Sequence, residues 1–286
     1  MKFRKLMFLA LAMLWSVAAY AQQQGAQPLT HWANYAVKPG KEAEFLDLVK
    51  TVGAPVRDKL MADGVVLAWG VEVPVLRGHD VETHAIWYTV ADWSGIEKVE
   101  NAINAQVAKL DAEGAKAAEE GKKKGAKAAP SIGQRLLEVV DFEKTKDFVT
   151  RDLEFTAGKM PAAGSLPYVR YSFVKAKPGR SEALRTAWDK YNKPVLDKLV
   201  ADGVVLAYGF SIEEVKTTGD FTHYVWYAVN SLGDLEKVRN AYSADRDRRS
   251  KEERDAITEA FVHAIEPDAS RSEVDHNVIF RLPGMK

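Results

Sequence analysis

The sequence predicts an α+β protein made of two tandem copies of one β-α-β-β-α-β unit. An internal repeat, the alternation of helical and strand periodicities within each copy, and a globular composition carry that prediction. Lys38-Pro39-Gly40 recurs as Lys177-Pro178-Gly179, and Ala62 to Ala68 recurs unchanged as Ala201 to Ala207, both 139 residues later. The same offset pairs Pro55 with Pro194, Asp58 with Asp197, Thr83-His84 with Thr222-His223, and Trp87-Tyr88 with Trp226-Tyr227. Residues 38–105 and 177–244 align without a gap at 27 identities in 68 positions, which marks a duplication. The 286 residues, 47% of them hydrophobic, suffice for two domains that each bury a core.

The first stretch lies outside the fold. Lys2, Arg4 and Lys5 precede an apolar run from Leu6 to Val17, and Ala19-Tyr20-Ala21 supplies the small-x-small pattern of a signal peptidase site. Residues 1–21 are therefore expected to be a cleaved signal peptide, the mature chain to start at Gln22, and its address to be the periplasm or exterior of a bacterial cell. The run falls short of the roughly 20 apolar residues that span a bilayer, so no membrane association is expected after signal removal. The full chain balances 40 basic against 40 acidic residues, and cleavage leaves −3. That charge excludes nucleic acid as a partner. Without cysteine the chain has no disulfide and no lipid-modified thiol.

The first unit is expected over residues 30–144, a linker over 145–167 and the second unit over 168–286. Trp32 to Val37 reads as a strand, and Lys-Pro-Gly as its turn into a helix. Phe45, Val49, Val52, Val56 and Leu60 then mark one helical face, matched by Leu184, Trp188, Tyr191, Val195 and Leu199. Pro55 and Pro194 fall inside that pattern and predict a break. Gly64 and Gly203 predict its left-handed end. Val65 to Val73 and Thr83 to Val90 read as a hairpin around Gly78-His79-Asp80. A second helix from Ser94, extending through a frayed, solvated stretch to Lys124, and a strand from Leu136 to Phe142 complete the unit. The second copy follows with strands Val204–Glu213, Thr222–Val229 and Val274–Leu282, and helices Leu232–Ala244 and Glu252–Ile265. This is the ferredoxin-like order.

The order of elements, the Lys-Pro-Gly turn, the Ala-Asp-Gly-Val-Val-Leu-Ala entry to the second strand and the aromatic third strand resemble the dimeric α/β-barrel superfamily. Its members include small cofactor-free monooxygenases of the antibiotic-biosynthesis kind and ligand-binding proteins. The resemblance implies that the two ferredoxin-like units pair their sheets as an intrachain dimeric α/β barrel. The chain would then be a monomer by pseudo-dimer, or a weak homo-oligomer. A four-stranded sheet with both helices on one side leaves its other face bare for a second copy.

The candidate ligand-binding residues are His84, Tyr88 and Trp69 in the first unit and His223, Tyr227 and Tyr208 in the second. Strand alternation puts His84 on the face of Tyr88, and His223 on that of Tyr227, with Trp87 and Trp226 on the other. A histidine near a tyrosine suits a general base or the orientation of a phenol, and equally a structural hydrogen bond. Trp69 and Tyr208 belong to an apolar stripe that suits a ligand cavity or ordinary core. Small Ala68, Gly70, Ala207 and Gly209 on the opposite face predict close approach of a helix.

No catalytic residue is assigned, and no metal site. The six histidines, His31, His79, His84, His223, His263 and His276, show no metal-binding spacing. No motif marks an axial haem ligand, a nucleophile elbow or a phosphate loop. No cofactor is expected. Two function classes remain: an envelope protein binding a small apolar or aromatic molecule, and a cofactor-independent monooxygenase or isomerase acting on an aromatic substrate. The exported address favours the first, a non-enzyme, because secondary metabolites are tailored where they are made.

Overall fold

The computed structural model describes residues 27–76, 82–122, 130–158 and 164–283. The expected signal peptide, the expected turn at Gly78-His79-Asp80 and Lys123-Lys124 lie outside them. The described residues divide into two compact units, 27–70, 82–147 and 281–283 in the first, 71–76, 148–158 and 164–280 in the second.

The first half begins with β1 (Leu29–Val37), then α1 (Glu42–Leu48), a π-helical turn (Val49–Gly53) and α2 (Ala54–Ala62). Pro55 sits in the first turn of α2, where its missing N–H has no partner to lose. Strands β2 (Val66–Pro74) and β3 (His84–Val90), helices α3 (Trp93–Lys122) and α4 (Ile132–Val139) and strand β4 (Val140–Ala157) follow. The second half repeats the order with β5 (Tyr168–Val174), α5 (Ser181–Tyr191), α6 (Lys193–Ala201), β6 (Val205–Glu213), β7 (His223–Val229), α7 (Leu232–Arg248), α8 (Lys251–Ala264) and β8 (Arg271–Arg281). The strands hydrogen-bond in the order β1-β3-β2-β8-β5-β7-β6-β4 and close into a barrel.

Local contacts recur at the repeat offset. Gly64 and Gly203 end their helices at φ +76° and +73°, which a Cβ would oppose. Tyr35 faces His84 across β1 and β3, and Val174 faces His223 across β5 and β7. Lys38 Nζ donates to the Leu137 carbonyl at 2.7 Å, and Lys177 Nζ, at the repeat offset, to that of Val262 at 2.7 Å, an acceptor 125 rather than 139 residues on. Each lysine thus satisfies a carbonyl near the end of a helix whose own start is a capping box, Ser131 with Gln134 or Ser250 with Glu253.

Three expectations are corrected. Leu136 to Val139 is helix, because the Ser131 cap nucleates α4 and strand begins only at Val140. The linker expected over residues 145–167 is strand as far as Ala157: β4 is 18 residues long, and residues 150–157 pair with β6. Gly209 makes room not for a helix but for the indole of Trp226, its partner across β6 and β7.

Both faces of the second unit's strands are buried. Toward the helices, Trp188, Leu196, Leu199, Tyr208, Phe210, Tyr227 and Val238 form one core. On the other face Tyr171, Phe173, Phe221 and Tyr224 pack together, with ring centroids 4.9 to 6.0 Å apart. This second layer also holds polar groups. Glu72, 1% exposed, accepts from the Tyr171 hydroxyl at 2.8 Å and from Asn277 Nδ2 at 3.0 Å. Thr150 Oγ1 and the Tyr224 hydroxyl share a 3.0 Å bond.

Candidate functional site

In the second unit a pocket of about 820 Å³ opens between the helix-facing side of the sheet and α7 and α8. That volume suits a small organic molecule. Helical spacing brings Leu235, Val238 and Tyr242 of α7 to its wall, and Ile257 of α8 and Val274 of β8 add apolar surface. Tyr191 and Tyr227 supply two more aromatic walls.

The charge of the wall is one-sided. Arg170, Arg239, Arg246, Arg249 and Arg254 line it against only Glu236 and Asp245. Arg239 bonds Glu236 at 2.8 Å, and Arg249 bonds Asp245 at 2.8 Å while lying 5.7 Å over the Tyr191 ring. Among the described residues Arg170 and Arg254 have no carboxylate partner. Arg170 is aimed by Ser172 and Ser272, whose hydroxyls accept from it at 2.9 and 3.2 Å, and it sits 6.0 Å over the Tyr227 ring. Arg254 is held through the Arg249 carbonyl at 2.7 Å. Burial raises the hydroxyl pKa of Tyr227, with Arg170 opposing, and raises that of Tyr242, so both stay protonated donors at neutral pH.

Of the residues singled out in the sequence, Tyr227 alone lines this pocket. Tyr208 lies deeper: its hydroxyl bonds Asp197, and its ring packs 5.8 Å from Trp188. His223 stacks 5.5 Å from Phe210, and its Nδ1 lies 2.9 Å from Thr222 Oγ1. Burial pulls its pKa down to about 4, so the ring is neutral. In the first unit Trp69 and Tyr88 come together over one guanidinium, that of Arg57, each 5.8 Å from it. Trp69 Nε1 donates to Asp58 at 2.9 Å, and the Tyr88 hydroxyl to Glu100 at 3.0 Å. His84 stands apart against Phe45, centroids 4.9 Å apart, with Nδ1 3.0 Å from Thr83 Oγ1.

The arginines were not among the sequence candidates. Asp245 to Arg254 is a highly charged stretch of mixed sign, with nothing in the sequence to mark a site, yet Asp245, Arg246, Arg249 and Arg254 line the pocket. The usable signal was Arg239 and Arg246, seven residues apart and so on the α7 face that carries Leu235 and Tyr242. None of the described histidines lines the pocket. Among the described residues no cluster could hold a metal ion, and no helix is long and apolar enough to cross a membrane.

No family model matches the chain, and no curated sequence does. Solved structures do. A "putative monooxygenase" from Fusobacterium nucleatum is 11% identical at a TM-score of 0.57, covering 91% of this chain and 97% of that one. A second "putative monooxygenase", from Lactobacillus acidophilus, is 10% identical at 0.51, covering 91% and 98%. An anthrone oxidase-like protein is 14% identical at 0.49, covering 91% and 95%. The likeness is one of fold, a mixed α+β closed barrel of the dimeric α/β-barrel kind. The expected non-enzymatic role is corrected by the first two structures, both of which are described as monooxygenases.

Proposed function

We propose that the chain is a cofactor-independent oxygenase that takes an anionic aromatic substrate into the arginine-lined pocket of its second unit. The surplus of guanidinium groups over carboxylates in a pocket walled by three tyrosines carries this reading. A phenol or enol bound there ionises more easily, because the positive wall favours its anion. Tyr227 and Tyr242, held protonated, donate hydrogen bonds to it. Such an electron-rich anion reduces dioxygen directly: a ring methylene and O2 give a ring carbonyl and water through a hydroperoxide. Oxygen is the oxidant, and the substrate supplies all the electrons.

The experiment is oxygen uptake with a phenolic tricyclic ketone, alongside the absorbance of its anion. Arg170→Ala and Arg254→Ala each remove a charged donor, worth about 1.5–3 kcal/mol. Each should raise KM roughly ten- to a hundredfold and push the pKa of the bound phenol back toward its free value. Uptake no faster than in buffer, or unchanged in both variants, would overturn the proposal.

The bonds that recur at the repeat offset support reading the halves as two fused copies that pair their sheets. The signal sequence supports export. Mature protein recovered from the producing cell should begin at or near Gln22, and N-terminal sequencing that finds Met1 intact would refute cleavage.

A further inference from the structure

We propose that the first unit binds a flat aromatic monocarboxylate against Arg57, at a site separate from the second-unit pocket. Arg57 on α2 is 9% exposed, and its guanidinium makes no hydrogen bond and no ion pair with any described residue. What surrounds it is aromatic. Trp69 and Tyr88 each lie 5.8 Å from its Cζ, and His31 stacks on Tyr88 with centroids 5.0 Å apart. His31 Nδ1 is buried and likewise has no hydrogen-bond partner among the described residues. A buried charge is ordinarily paired, because water no longer solvates it and ring faces compensate only in part. Two unmet polar groups therefore border the same Tyr88 ring, near enough that the Arg57 charge acts on His31.

Gly53 ends the π-helical turn and leaves room for this arginine: a Cβ there would press on Arg57 Nη1, the flexible end of its side chain. Such turns often mark functional sites. The repeat offers an internal comparison: at the matching positions the second unit has Leu196, Asn192 and, for His31, Arg170. Leu196 is fully buried in ordinary core, and no π turn precedes it. The shared fold thus does not require a guanidinium in α2.

The ligand class follows from the groups present. One guanidinium fork with a neutral imidazole beside it matches a single carboxylate, which accepts two parallel N–H bonds. Burial lowers the pKa of His31, so it adds a hydrogen bond rather than charge. Glu100, which accepts from the Tyr88 hydroxyl, and Asp147 act on this group from a distance and disfavour a dianion. The rings of Tyr35, Trp69 and Tyr88 suit a planar body.

Calorimetric titration of the full chain with benzoate tests the proposal, in an Arg170→Ala/Arg254→Ala background that disables the other pocket. One equivalent should bind, and Arg57→Leu should weaken binding at least tenfold without lowering the melting temperature, since leucine is the residue of the second copy. His31→Phe should weaken it less. No benzoate binding at millimolar concentration, equal binding by Arg57→Leu, or tighter binding of inorganic phosphate would overturn the proposal. So would a ligand-free Arg57→Leu protein that melts well below its parent, because Arg57 would then be structural.

Discussion

Asp275→Asn is expected to stabilise the protein, by an amount that grows as the pH rises above about 4. Asp275 is 8% exposed on β8, paired with Val169 across β5. Burial first, then the neighbouring Glu72 and Glu273, hold its carboxyl well above the usual range, with Arg271 opposing. Glu72 accepts two hydrogen bonds, which suits an ionised carboxylate, whereas Asp275 Oδ1 has no partner. Asp275 is therefore the member of the pair that keeps a proton. The unfolded chain releases that proton near pH 4 and the folded chain does not, so this group's contribution is full below about pH 4 and is lost as pH rises, by up to about 1.4 kcal/mol per unit. An asparagine has no proton to lose. His223 acts in the opposite sense. Its pKa is lowered to about 4 by burial, so its contribution is present above the ordinary value of 6.5 and lost as pH falls toward 4. Denaturant melts at pH 5 and pH 8 would separate the two. An Asp275→Asn gain of equal size at both would show that the carboxyl ionises normally in the fold.

The features legible in the sequence are those the backbone dictates. Gly64 and Gly203 stop their helices because the last position needs positive φ, and Pro55 and Pro194 break the face because proline lacks an N–H. The run Leu136 to Phe142 misleads because a short apolar stretch serves helix and strand equally. Only the capping pair, Ser131 with Gln134, tells them apart. β4 is hard to see because its residues 141–147 alternate little and are mostly charged, as a linker would be. The pocket was hidden for another reason. Histidines draw attention as titrating groups, but His84 and His223 are each held by a neighbouring threonine and a phenylalanine ring, tilted at His84 and stacked at His223. The arginines that give the pocket its charge come from β5, α7, α8 and the link between those helices, up to 84 residues apart, and no local motif joins them. The repeat itself held the better clue. Where the copies differ, as at Arg57 against Leu196 and His31 against Arg170, common packing cannot explain both residues.

Trp188→Ala should be among the most damaging single changes in the second unit. Trp188 is 1% exposed, stacks on Phe210 at 5.0 Å and 13°, and packs on Tyr208 at 5.8 Å. Its Nε1 has no hydrogen-bond partner, so the substitution removes packing alone. Truncating a buried tryptophan costs about 3–5 kcal/mol in transfer energy and residual cavity. At 2–4 °C per kcal/mol for a unit of this size, the melting temperature of the second unit should fall by roughly 10 °C. The matching position in the first unit is Val49, whose truncation removes only two methyl groups, about 1–2 kcal/mol. The copies therefore respond unequally to equivalent changes, and calorimetry of Trp188→Ala should split one transition into two or move only the lower of two. The cavity also lies beside the Phe210 ring on which His223 stacks. Water admitted there would reach the unpartnered Nε2 and relieve the desolvation that lowers the His223 pKa. NMR titration of His223 should then show its pKa moving up toward the ordinary value of 6.5 in Trp188→Ala and staying near 4 in Val49→Ala. A loss under 1 kcal/mol in Trp188→Ala, or an unmoved His223 titration, would mean that the helices close over the gap and that the aromatic stack does not govern this unit.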